Sequence, residues 1–230
     1  ALYNQADITV EPADDTKPGS SGIVSYTFTL PAQGLVNLRY LLVSYPTSPD
    51  KAALVQGLYT SVKKIDQFAT DLQKATSDGN YPLARQKAEA VLNLIAGSQS
   101  SSYKDWDKDG FVTDESDGYG LILNGSSPGY LQAVYSETST VIKYATASEP
   151  MATHGEILLI SIQNLAQWTN QIQELATDII QTPDQKNSAE MKKLADQMLN
   201  GADLNQNGTI ESIVGEIGAQ GAYENAYWMA

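Results

Sequence analysis

The segment Ile65-x-x-Phe68-Ala69-Thr70-Asp71-Leu72 recurs as Ile172-x-x-Leu175-Ala176-Thr177-Asp178-Ile179, 172 − 65 = 107 residues later. The same offset carries Ala88 onto Ala195, Leu92 onto Leu199 and Asn93 onto Asn200. Two amphipathic helices and the connection between them therefore repeat without a gap. Each copy runs on into an Asp/Asn/Gly-rich loop and then a Tyr-bearing helix, Gly129-Tyr130 in the first and Gly221-x-Tyr223 in the second. A helix–helix–loop–helix unit has one apolar face that needs covering. Two such units cover each other, which predicts a mainly α chain built as a duplicated antiparallel helical bundle. The repeats are expected at about 49–147 and about 150–230, inside a helical body spanning 33–230.

Composition narrows the chemistry. The 230 residues hold 14 basic and 27 acidic side chains, a formal charge of 14 − 27 = −13. At 42% hydrophobic and 18% charged, the chain can fold. No apolar run approaches the ~18 residues of a membrane span. No basic patch exists, so a phosphate backbone is a poor partner and nucleic acid is not expected. With no Cys and a single His, thiolate zinc sites, thiol catalysis and multi-His metal sites are excluded. Tyr outnumbers Phe 13 to 3, which suits wet interfaces. The chain opens on Ala1 without a leader pattern and reads as a piece of something longer.

Residues 1–32 differ from the rest. Asp7-Ile8-Thr9-Val10 alternates, Glu11 to Gly22 is dense in turn residues, and Ile23 to Leu30 alternates again with β-branched and aromatic side chains. This reads as a β-strand arm. Two strands alone are marginal in water. The arm therefore calls for a neighbour, either a protein partner or a second copy joined through these strands.

Helical periodicity begins at Leu35 and stops at Pro46. Ser48-Pro49-Asp50 reads as a cap-plus-proline helix start, and so does Thr182-Pro183-Asp184. Pro82 opens a third helix that Gly97 closes. Residues 98–129 read as a polar loop.

Two loops carry the candidate chemistry. In the first, Asp105, Asp107 and Asp109 stand at positions 1, 3 and 5, with Gly110 at 6, Phe111 at 7 and Val112 at 8. A hard cation takes six to eight oxygens at about 2.3–2.6 Å, and alternate residues of a tight loop aim theirs inward. Gly110 permits the turn, the Phe111 carbonyl supplies a backbone ligand, and Val112 is expected to pin the loop to the core. Position 12 is Ser116, so Asp117 is the expected closing carboxylate, with Asp114 or Glu115 as fallbacks. In the second loop Asp203, Asn205 and Asn207 repeat positions 1, 3 and 5, with Gly208 at 6 and Thr209 at 7. Glu216 is the expected closer there, with Glu211 acting directly or through water. Two Ca2+ sites are expected, the second weaker for having fewer carboxylates. The bland reading makes both loops ordinary Asx turns. Their recurrence at one place in a repeat argues for calcium.

Other motifs carry less. His154 and Glu156 stand two apart on a helix and share no face, so no acid–base pair is expected. No Ser/His/Asp order and no phosphate loop appears, so no catalytic residue is assigned and an enzyme is not expected. Trp168, Tyr223, Tyr227 and Trp228 fall at helical spacing, as core or interface residues do.

The loops resemble the EF-hand-like calcium repeats of dockerins over about a dozen residues each. Ala6-Asp7-Ile8-Thr9-Val10-Glu11-Pro12, with Lys17-Pro18-Gly19 after it, resembles the closing strand of the extracytoplasmic β-domain of anti-sigma-K-type factors. That resemblance spans residues 6–28. The helical remainder looks like an extension appended to such domains in envelope proteins of filamentous bacteria. It implies an extracytoplasmic location and a β-domain upstream. The reading is a calcium-stabilised structural or interaction protein of the cell envelope, assembling through its β-arm into a complex or filament. The alternative is a sensory or small-ligand domain with a groove between the repeats. A hydrolase borrowing acids from the loops is a third reading.

Overall fold

The computed structural model describes residues 5–16, 18–19, 22–29, 32–145 and 148–230. Leu30, Lys17, Ser20 and Ser21, all part of the expected arm, lie outside them. Among the described residues the model is mainly helical, with seven α-helices and a small N-terminal antiparallel hairpin.

Strand β1 (Gln5–Thr9) pairs antiparallel with β2 (Val24–Thr29), with an irregularity in register between Ile8 and Thr9. Helix α1 is Ala32–Leu42, α2 Leu54–Ser77 and α3 Tyr81–Ala96. A two-residue ladder, β3 (Leu123–Asn124) with β4 (Ser127–Pro128), interrupts the region read as loop. Then come α4 (Tyr130–Tyr144), α5 (Glu149–Gln181), α6 (Gln185–Asn200) and α7 (Ala219–Trp228).

Two of the expected helix starts are corrected. Ser48-Pro49-Asp50 forms a separate 3-10 turn, with Asp50 and Lys51 at positive φ. The Ser48 hydroxyl binds the carbonyls of Tyr45 and Ala52, so it ties that turn instead of capping α2. In the second case the cap is Asp184, whose carboxylate accepts Asn187 N–H at 2.8 Å, and Thr182 ends α5. A carboxylate caps better when its own backbone is extended, as Asp184's is (φ −144°, ψ 158°).

The α2–α3 and α5–α6 hairpins turn in three residues each, and both pack into one ring. α2 lies against α3 and α6, and α5 lies against the same two helices. Directions follow from the polar contacts. Thr76 near the end of α2 meets Ser188 near the start of α6 at 2.9 Å. Arg85 near the start of α3 donates to the Ile180 carbonyl at the end of α5, at 2.9 Å. Neighbours in the ring are therefore antiparallel, and both tight turns sit at one end. Both loops leave from the other end. The repeat-carrying residues Ile65, Phe68, Ala69, Leu72, Ile172, Ala176 and Ile179 are all core. Burying each large apolar side chain contributes roughly 1.5–3 kcal/mol. Helices α4 and α7 cover α5 and α2, and α1 covers α4. Among the described residues, no helix packs broadly against the N-terminal hairpin.

Candidate metal centres

The two loops leave their helices in the same way. Gly97 ends α3 at φ +74° and Gly201 ends α6 at φ +93°. Each faces a second glycine. A Cβ on Gly97 would lie 2.4 Å from Gly120 N, and a Cβ on Gly218 would lie 2.5 Å from Gly201 N. The loop register is then shared, since Asp105 to Asp203, Gly110 to Gly208 and Gly120 to Gly218 are each 98 residues apart.

Inside the loops backbone amides hold the candidate side chains in place. Asp105 accepts Lys108 N–H at 2.6 Å and Gly110 N–H at 3.0 Å. Asp203 accepts Asn207 N–H at 3.1 Å and Gly208 N–H at 2.8 Å. Asp107 accepts from Asp109 N–H, and Asp109 from Phe111 N–H. Asn205 and Asn207 repeat that pattern toward Asn207 and Thr209. The fourth position takes positive φ in both loops, Lys108 at 62° and Gln206 at 59°.

A glutamate anchors each loop, and the two come from opposite directions in the chain. Glu89, on α3 and with no exposed surface, accepts Asp107 N–H at 3.0 Å and Thr113 N–H at 2.6 Å, and also Trp106 N–H at 2.6 Å. Glu216, 1% exposed, accepts Asn205 N–H at 3.4 Å and Glu211 N–H at 2.9 Å. Counting from each loop's first Asp, both glutamates hold the amides at +2 and +8. Asn93, one helical turn after Glu89, adds bonds to Lys104 N–H and to the carbonyls of Lys104 and Thr113.

The remaining carboxylates of the first loop have partners of their own. Asp117, the expected closer, accepts Tyr119 N–H and the Tyr130 hydroxyl at 2.7 Å. Burial, then Asp117 itself, pushes the Tyr130 hydroxyl well above its usual range. The Tyr130 ring fits because Gly57 has no side chain, a Cβ there falling 2.2 Å from the ring. Asp114 takes the Tyr103 hydroxyl and Glu115 pairs with Lys87 at 2.8 Å, so neither fallback is aimed at the loop. Val112 is 46% exposed and does not pin the loop; Glu89 and Asn93 do. In the second loop Glu216, the expected closer, holds two backbone amides, and Glu211 accepts from the Asn205 side-chain amide at 2.7 Å.

The oxygens of Glu89, Asp105 and Asp107 lie within 4.8 Å of one another, a group able to hold a metal ion. A cation with ligands at about 2.3–2.6 Å spans up to about 5 Å between them, so one ion reaches all three. Asp109 lies outside this triad. A carboxylate has about four lone-pair directions, and the three amides leave Glu89 about one for an ion. Burial, with added repulsion from Asp109 and Asp105, raises the Asp107 carboxyl above its ordinary range, and the Asp109 amide offsets part of that. Nearby negative charge is what a bound cation relieves. Among the described residues the second loop has no comparable trio of acids, because Asn205 and Asn207 replace two carboxylates.

The other candidates find ordinary partners. His154 Nδ1 lies 2.8 Å from Asn225 Oδ1, and its ring lies beside Trp228. Trp168 is buried, Tyr223 stacks between Tyr59 and Tyr227, and Trp228 is exposed. Compared with protein-family models, with curated proteins and with solved structures, the chain shows no match.

Proposed function

We propose that this chain is a calcium-stabilised structural and interaction module that works outside the cytoplasm, in a cell envelope. The helical body is read as one unit used twice. Its two loop corners are read as calcium sites. Asp105, Asp107, Asp109, the Phe111 carbonyl and Glu89 form the first. Asp203, Asn205, Asn207, the Thr209 carbonyl and Glu216 form the second. The carrying observation is that two glutamates from unrelated chain positions hold the same two amides in both loops.

All these donors are oxygens, which suits a hard cation. Irregular loops with carbonyl and Asn ligands suit calcium better than magnesium, which demands near-octahedral geometry and keeps its waters. Sites with few carboxylates fill at about 10⁻⁴–10⁻³ M, levels that hold outside cells. An ion that binds only the folded state stabilises it by mass action. The N-terminal hairpin, with Ile8, Val24 and Tyr26 exposed, is read as the element that joins the module to a protein partner or another copy.

A second reading, a small-ligand domain, is favoured by one observation. An apolar groove of about 300 Å³ lies between α4 and α5, one from each unit.

Calorimetric titration of the cation-stripped protein tests the calcium reading. Two binding events are expected, the tighter lost in Asp105→Ala and the weaker in Asp203→Ala. Absence of any saturable calcium binding up to about 10 mM, beyond the range of extracellular modules, contradicts it.

A further inference from the structure

We propose that the N-terminal hairpin of one copy seats in the α4–α5 groove of the next, joining copies head to tail. This rests on the reading of the hairpin as the assembling element and names the surface that receives it.

The hairpin presents a side that its own helices do not cover. Ile8 and Tyr26 are opposite one another in the ladder and are 66% and 71% exposed. Val24 follows on the same strand at 50%. The charged side of the hairpin is engaged separately. Asp7 accepts hydrogen bonds from Thr27 and then Gln5, which hold its carboxyl below the usual range. A two-stranded ribbon is marginal by itself in water, so its ordering calls for a surface to lie on.

The groove offers that surface. Ile122, Leu131, Tyr135, Ile162 and Ala166 line it, and among the described residues no charged side chain does. Ile122 lies just before β3, in the stretch between Gly120 and α4 that the second unit lacks, where Gly218 runs straight into α7. Among the described residues the second unit has no counterpart of Ile122, so its corresponding face differs and the contact is one-way. Gln132, Gln163 and Asn170 line it as well. Carboxamides donate and accept, which matches the alternating N–H and C=O groups on an open strand edge.

Charge and length agree. Two copies at −13 repel wherever acidic surfaces meet. The hairpin's apolar side and this groove are both uncharged, so contact there avoids the repulsion. Strands of five and six residues span about 17–20 Å. The groove runs from Ile162 to Asn170 along α5, about 12 Å at 1.5 Å per residue. The hairpin is long enough to cover it. A convex patch that fits a pocket elsewhere on the same molecule makes a heterologous contact, which propagates instead of closing as a two-fold dimer does.

The test is sedimentation velocity of the full chain with calcium, over a wide concentration range. Tyr26→Asp disables the hairpin and Ala166→Glu disables the groove. Tyr135→Glu, at a half-exposed position, replaces the latter should Ala166→Glu melt lower than wild type. Wild type is expected to grow in mass with concentration, and each variant to stay at one chain. A 1:1 mixture of hairpin and groove variants is expected to reach about twice the mass of one chain and stop, because only one junction survives. Assembly lost in Tyr26→Asp but kept in both groove variants overturns the groove assignment and leaves the hairpin reading standing. Wild type that stays monomeric, or assembly kept in Tyr26→Asp, overturns both. Loss in both variants without rescue on mixing overturns the one-way contact.

Discussion

Glu89 is a carboxylate with none of its surface in water. Three backbone amides make that tolerable, because burying an unpaired charge is far costlier than burying a hydrogen-bonded one. Glu89→Gln places an NH2 group against those amides, and about 1–3 kcal/mol of stability should be lost for each donor left unpaired. That loss should persist in chelator, measured by urea unfolding. Asp105→Asn, in a more exposed loop, should cost little in chelator and show its effect only with calcium present. Equal losses in chelator would separate Glu89 from any special anchoring role. Asp107 gives a second prediction at this scale. Its folded-state carboxyl is raised, so its protonated form favours folding at low pH and that contribution disappears as pH rises through the raised value. In cation-free protein, Asp107 therefore works against folding at neutral pH, and on the calcium reading the ion reverses this by binding the anion. The calcium-induced rise in Tm should shrink on acidification at a pH above the ordinary aspartate range. Asp107→Asn should move that fall-off to lower pH. A calcium effect indifferent to Asp107→Asn counts against its role as a ligand.

At the scale of elements, the corners depend on paired glycines. A Cβ on Gly97 meets Gly120 N at 2.4 Å, and the residue holds φ +74°. Gly97→Ala combines left-handed strain with overpacking against backbone, so a loss of at least about 2 kcal/mol is expected in urea unfolding. Gly79→Ala serves as the control. It shares φ +74° but has nothing within 4 Å of its Cβ, so its loss should be about 1 kcal/mol. Equal losses would mean that the close approach of the two glycines contributes nothing. Much of this layer was legible in the sequence, because helix periodicity and the 1-3-5-6 order of a loop are local patterns. Glu89 was not, since it lies 105 − 89 = 16 residues before its loop, inside a helix. A signal was present all the same. In Ala88-Glu89-Ala90-Val91-Leu92-Asn93-Leu94-Ile95 two polar residues four apart interrupt a buried run. Polar groups on one face of a core helix need partners, and both find them in the first loop. The cap at Asp184 and the turn at Ser48 depart from the sequence pattern for a related reason. Proline after a small polar residue marks a break, and the tertiary setting decides which side of it the helix begins.

For the whole molecule, antiparallel neighbours put both loops at one end of the bundle and both tight turns at the other. The loop end therefore concentrates like charge, and the account assigns calcium the task of neutralising it at two corresponding corners. The asymmetry between the halves is as informative as the likeness. The first unit recruits its anchoring glutamate from α3, and the residue 107 positions on is Asp196, which is exposed and paired with Lys192 at 2.9 Å. The second unit recruits Glu216 from beyond its loop instead. The central claim is that calcium at these corners stabilises the folded chain, and thermal unfolding tests it most directly. Wild type and the double variant Asp105→Ala/Asp203→Ala would be melted in chelator and in about 10 mM calcium, which is about 100 times a Kd of about 10⁻⁴ M. A site filled at about 100 times its Kd adds about 2.7 kcal/mol, or about 5–10 °C in Tm for a chain of this size. Calcium should raise the wild-type Tm by at least that much and leave the double variant unmoved. A wild-type Tm identical in calcium and chelator would contradict the account.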